Sequence, residues 1–294
     1  MDLPGITEVA DARSAAWRAG DAWLAGGTWL FSEPQPGLTR LLDLQAFGWP
    51  SLQASAAGLE IAATCTLAEL AGLAQGEPDD SPGSPWRARP LFGQCCHALL
   101  GSFKVWNAAT VGGNLCLALP AGPMISLTAA LDGVCTIWGP DRAPRRVPVT
   151  DFVTGAGRCA LAPGELLRSV SLPARALASV TAFRQLSLSD LGRSAAVVIG
   201  RRPAPYVWPP DALSSGVRRP DPGTAADGVV ITLTAATTRP VQLRFAAVPA
   251  PGELRAAIDA ARPPWHDDVY GAPAWRAAVS RDLALEVLDE LAAA

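Results

Sequence analysis

Residues 105–131 carry no charged side chain, and this stretch constrains the fold more than any other feature of the chain. It is long enough to cross a bilayer as a helix. Gly112, Gly113, Pro120, Gly122 and Pro123 interrupt it, together with Asn107 and Asn114. A backbone broken so often would present unpaired polar groups to lipid, so no membrane span is expected. The stretch reads as a buried, turn-rich part of a globular core.

Composition agrees with burial. Hydrophobic residues make up 49% of the 294 residues, charged residues 17%, and the formal net charge is −3. A disordered chain needs the opposite balance. No excess positive charge exists to neutralise phosphates, so nucleic acid is not an expected partner. A chain of this size is where one core divides into domains. Residues 1–5 have neither the basic region nor the apolar run of a secretory signal, which gives the expectation of a cytoplasmic protein. Cys65, Cys95, Cys96, Cys116, Cys135 and Cys159 are scattered without a C-x-x-C pair. They are expected to be reduced core thiols, with no metal held on this chain.

Local patterns give a coarse order of elements. An Ala-rich run predicts a helix over 9–17, ended by Gly20. Short strands are expected at 22–25, 41–44 and 59–63. Thr66 and Glu69, three residues apart, form a capping-box pattern ahead of Leu67, Leu70 and Leu73. Helices are expected over 91–100 and 124–131, the second ended by Gly133 before a strand at 134–138. Longer strands follow at 166–172, 180–186, 195–200, 229–236 and 241–247, then helices at 253–261 and 273–293. Such an order indicates an α+β chain, with a mixed α/β unit followed by an α+β unit built on an antiparallel sheet and helices. A Pro-, Gly- and Arg-rich insertion stands at about 201–227.

The candidate chemistry lies in two Gly-Gly motifs. Leu24-Ala25-Gly26-Gly27-Thr28-Trp29-Leu30-Phe31 places two glycines and a hydroxyl directly after an apolar strand. Glycine reaches positive φ without strain, so successive N–H groups can converge on one anion. Thr110-Val111-Gly112-Gly113-Asn114 is expected to be a second loop of this kind, inside the uncharged stretch. A few placed donors in an apolar cleft suit a cofactor with a diphosphate and a flat ring system. His97 and His266 have no nucleophile elbow near them and read as structural. The ten tryptophans read as core and subunit-interface residues.

The ordered pair L-A-G-G-T and T-V-G-G-N, with L-L-D-L between them, resembles the FAD-binding subunit of molybdenum hydroxylases, the xanthine and carbon monoxide dehydrogenase family. Segments 120–124, 129–133, 147–155, 165–173, 182–184, 238–241 and 269–283 fit that family in the same order, so the resemblance covers nearly the whole chain. It implies a PCMH-type FAD-binding domain over 1–170, with subdomains of about 1–56 and 57–170, and a C-terminal domain over 171–294. It also implies FAD held by Leu24, Ala25, Gly26, Gly27, Thr28, Trp29, Leu30 and Phe31, with Thr110, Val111, Gly112, Gly113 and Asn114 approaching the diphosphate and ribityl region. Leu100 falls where a side chain often lies near the isoalloxazine, Leu167 at a further apolar wall, and Arg184 where a basic group often meets the flavin's polar edge.

Function follows from the same resemblance. Electrons from a molybdopterin centre would pass through 2Fe–2S clusters on a small partner subunit to FAD here, then to NAD or another acceptor. The molybdenum cofactor would sit on a large partner subunit. The chain departs from the family pattern at Trp29 and Pro123, where acidic residues are common, at 105–106, where a basic residue is common, and at 187–194. Those departures keep two other readings open, a flavin-free structural subunit of the same complex and a stand-alone flavin oxidase.

Overall fold

The computed structural model describes residues 5–75, 86–99, 101–189, 192–204 and 228–294. Leu100, and the expected insertion beyond residue 204 as far as 227, lie outside the described residues.

Strands β1 (Glu8–Asp11), β2 (Asp21–Leu24) and β3 (Arg40–Asp43) form a parallel sheet with β3 in the centre. The helix expected over 9–17 is absent, and β1 with a turn takes its place. Helix propensity is a weak determinant even for alanine, the best helix former, and pairing of Glu8–Asp11 with Arg40–Asp43 outweighs it. The turn is fixed by Asp11, whose carboxylate accepts from the Arg13 backbone N–H at 2.8 Å. Asp43 then accepts from the Gln45 N–H and opens a single 3-10 turn that leads out of this sheet.

The second sheet is antiparallel, in the order β4-β5-β10-β6-β7. Its strands are β4 (Leu52–Ser55), β5 (Gly58–Ala62), β6 (Val134–Trp138), β7 (Pro144–Pro148) and β10 (Leu166–Pro173), with a small hairpin of β8 (Val153–Gly155) and β9 (Arg158–Cys159) beside it. Between β5 and β6 run α1 (Leu67–Gly72), α2 (Arg89–His97), α3 (Phe103–Ala108), α4 (Val111–Leu117) and α5 (Pro123–Ala130). The capping box forms as expected, because Thr66 Oγ1 accepts from the Glu69 N–H while Glu69 accepts from the Thr66 N–H at 2.7 Å. Short turns of helix, α6 (Val149–Phe152) and α7 (Ala174–Leu177), flank the last strands.

A third, four-stranded antiparallel sheet runs β11 (Val180–Ser187), β12 (Ser194–Arg202), β13 (Val229–Thr234) and β14 (Val241–Phe245) in chain order. Helices α8 (Pro251–Ala261) and α9 (Pro273–Ala293) close the chain. Every residue of β13 is buried, since α5 packs on this sheet and α9 lies against β11 and β12.

The uncharged stretch is therefore helical to a greater extent than its glycines and prolines suggest. Its last part, α5, is buried at every position, as an all-round apolar helix must be. Ser126 Oγ and Thr234 Oγ1 lie 2.6 Å apart, and the Gln242 amide donates to the Ala129 carbonyl at 2.6 Å, so α5 is fastened to the third sheet. The residue that ends α5 in the left-handed region is Asp132, at φ 53°, with Gly133 following it. Asp is among the few non-glycine residues that visit that conformation, and here its carboxylate pairs with Arg175, Arg201 and Arg244.

Candidate functional site

The first Gly-Gly motif leaves β2 as a turn. Gly27 adopts φ 68°, and its carbonyl accepts from the Phe31 N–H at 2.9 Å. No group among the described residues accepts from the backbone N–H of Gly26, Gly27, Thr28, Trp29 or Leu30. All of these except Trp29 are half-buried. Backbone donors left open by a turn can converge on one anion.

The second motif is not a loop. Thr110 caps α4, and Gly112 and Gly113 lie in its first turn. Its N–H groups already have acceptors: Val111 donates to Cys65 O at 2.9 Å, Gly112 to Ala63 O at 2.9 Å, and Gly113 to Thr110 Oγ1 at 3.0 Å. Asn114 uses its side chain on the next helix, accepting from the Met124 N–H at 3.0 Å. Gly112 is required by packing, because a Cβ there would lie 2.5 Å from the Ala63 Cβ. A Cβ at Gly113 would meet only Thr110 Oγ1, at 3.0 Å.

Both motifs are brought together. A Cβ at Gly26 would lie 1.7 Å from the carbonyl oxygen of Ala108, so the first turn rests directly on the backbone that leads into α4. Beside this contact, between the first and second sheets, is a cavity of about 310 Å³. Ala25, Gly112, Gly113 and Leu167 line it, as do several residues with no local signal in the sequence, including Trp17, Trp23, Leu44 and Leu166. Asp21 lines it too, with both carboxylate oxygens taken by Arg40 at 2.9 and 2.6 Å. Those hydrogen bonds from Arg40 hold the Asp21 carboxyl below its ordinary range. Burial raises the Cys116 thiol well above its ordinary value, so this lining residue is a neutral wall group.

Arg184 is placed elsewhere. It donates to Glu286 at 2.9 Å and to Glu290 at 2.6 Å, which ties β11 to α9, and it does not line the cavity. Trp29 and Phe31 stand exposed at the surface of the first turn. Pro123 is buried at the start of α5. His97 bonds the Gly93 carbonyl one turn back in α2, and His266 pairs with Asp268. No helix among the described residues is long and apolar enough to cross a membrane.

Residues 6–175 match the model of a family described as the FAD binding domain in molybdopterin dehydrogenase. Xanthine dehydrogenase of Oryza sativa subsp. japonica is 34% identical over 97 residues, which is 31% of this chain and 7% of that protein. Xanthine dehydrogenase 1 of Arabidopsis thaliana is 28% identical over 134 residues, 45% of this chain and 10% of that protein. The chain thus spans a tenth or less of the length of these curated relatives. Among solved structures, reconstituted CO dehydrogenase from Oligotropha carboxidovorans aligns with a TM-score of 0.72 at 17% identity, covering 98% of both chains. Quinoline 2-oxidoreductase from Pseudomonas putida 86 aligns with a TM-score of 0.71 at 19% identity, covering 99% of this chain and 98% of that one. Identities this low show a shared fold.

Proposed function

We propose that this chain, which belongs to the family of FAD-binding domains of molybdopterin dehydrogenases, holds FAD across the seam between its first two sheets and serves as the electron-transferring subunit of a molybdenum hydroxylase. The observation that carries this reading is the row of N–H groups from Gly26 to Leu30 without an acceptor, beside the cavity. Main-chain donors bind a diphosphate whatever the side chains are, so Trp29 in place of an acidic residue leaves that capacity in place. Bound FAD supplies chemistry that accepts and releases electrons singly or as a hydride. The protein's part is to bind and orient. Gly26 to Leu30 would hold the diphosphate, while Gly112, Gly113 and Leu167 would form close apolar walls. Within this reading, molybdopterin and 2Fe–2S clusters belong to partner chains, and NAD or another acceptor removes the electrons.

The test is flavin retention. Purified chain incubated with FAD and desalted is expected to keep visible flavin absorbance. Gly27→Val, which forces a β-branched residue to φ 68° with a Cβ 2.4 Å from the Phe31 ring, is expected to lose it while keeping its far-UV dichroism. A colourless wild-type protein after supplementation overturns the cofactor reading. Undiminished flavin in the variant removes the loop from the site. Mass spectrometry of co-purifying chains tests the partners separately.

A further inference from the structure

The walls of the cavity are chemically unequal. Trp17 and Trp23 lie with ring centroids 5.0 Å apart and planes inclined by 33°. Each is held in place. The Trp23 indole N–H donates to the Glu165 carbonyl at 2.9 Å, and Trp17 lies over Gly164, where a Cβ would approach its ring to 3.2 Å. Other parts of the lining are Gly112, Gly113, Leu161, Leu166 and Leu167. The charged lining residue is Asp21, whose oxygens are occupied by Arg40 and by the Arg18 N–H at 2.8 Å. A ligand entering this space finds few hydrogen-bonding side chains and must be held by stacking and close contact.

We infer that Trp17 and Trp23 form an aromatic wall for the adenine ring of the dinucleotide, an assignment that rests on the FAD reading above. Ala25 lines the cavity and directly precedes the N–H row of Gly26 to Leu30. A ring in the cavity and a diphosphate on that row are therefore contiguous along one ligand. The choice between the two ring systems follows from charge and access. An isoalloxazine gains negative charge on reduction and is served by nearby donors or a cation. This lining offers a carboxylate, and the two guanidinium groups beside it, of Arg40 and Arg18, are engaged by Asp21 itself and by Glu8. Adenine stays neutral throughout, and placing it here leaves the redox-active ring outside the cavity, where donors and acceptors can reach it.

The test uses the full chain freed of flavin and titrated with FAD, ADP and FMN, reading affinity and mutual competition by equilibrium dialysis. ADP is expected to displace FAD, and FMN to displace it at least about tenfold more weakly than ADP. Trp17→Leu is expected to weaken FAD and ADP about tenfold, the scale of one base stacked on one aromatic ring, with FMN unaffected. Trp17→Phe is expected to restore most of the affinity, which a purely structural role would not require. The competition of ADP and FMN needs no variant, so it decides even where a substitution prevents folding. Equal FAD affinity in Trp17→Leu and Trp23→Leu, both folded, overturns the aromatic wall and leaves FAD binding standing. Displacement of FAD by FMN and not by ADP overturns the adenine assignment. Failure of the wild-type chain to bind FAD overturns the cofactor reading, and this inference with it.

Discussion

The two Gly-Gly motifs share a spelling and differ in what their backbones do. After β2, Gly27 turns the chain at φ 68°, and no group among the described residues accepts from the donors of Gly26 to Leu30. In the first turn of α4, the donors of Val111, Gly112 and Gly113 are all satisfied by Cys65, Ala63 and Thr110. The cause is the neighbour. The segment just past β5 runs beside Val111 and Gly112 and offers them its carbonyls. No carbonyl among the described residues accepts from the N–H groups of Gly26 to Leu30, although the Ala108 carbonyl packs against Gly26, and Pro34 and Pro36 follow soon after the turn. One motif is a cradle and the other is a joint. A pair of glycines shows that backbones approach closely, and only the surroundings show whether the approach is to a ligand or to another part of the chain.

That difference can be broken from the side of packing. The largest effect is expected from Gly26→Val, since its Cβ would lie 1.7 Å from the Ala108 carbonyl oxygen and main chain cannot move aside cheaply. A loss of about 3 kcal/mol or more in urea unfolding is expected. Gly112→Ala comes next. Its Cβ would press on Ala63, just past the end of β5, and overpacking of this kind costs about 1–3 kcal/mol. Thr110→Val follows, removing the hydroxyl that accepts from the Gly113 N–H at a cost of about 1 kcal/mol. If Gly112→Ala is neutral in urea while flavin is lost, the second motif is a cradle after all.

How much of this could be read in the sequence depends on how local each cause is. The capping box at Thr66 and Glu69 and the buried strands of the third sheet are set by neighbouring residues, and the expected and observed elements agree. The run at 9–17 is decided by pairing with Arg40–Asp43, far along the chain, so its alanines mislead. The helical character of 105–117 is hidden because glycine and asparagine are poor helix formers, and burial of Val111, Gly112 and Leu115 outweighs their preference. The cavity is less legible still. Trp23 meets Glu165 across 142 positions, and no spacing rule places Trp17 over Gly164. Arg184 shows the same limit from the other side. Its local motif cannot show that Glu286 and Glu290 of α9 will take up its guanidinium.

Gly113→Ala sharpens the comparison most finely because its expected cost to the fold is the smallest. Alanine in a helix gains roughly 0.5–1 kcal/mol over glycine. The new methyl would meet Thr110 Oγ1 at 3.0 Å, a contact tight enough to offset that gain by disturbing the cap. Net stability is therefore expected to change by less than about 0.5 kcal/mol, the scale of substitutions that break no named interaction. Gly113 also lines the cavity, so the residue tests ligand approach and packing separately. Weakened FAD retention in a variant of unchanged urea midpoint would show that the joint also serves as a wall of the site. Unchanged retention would confine Gly113 to the start of α4 and leave the first motif, with the tryptophan pair, to hold the ligand.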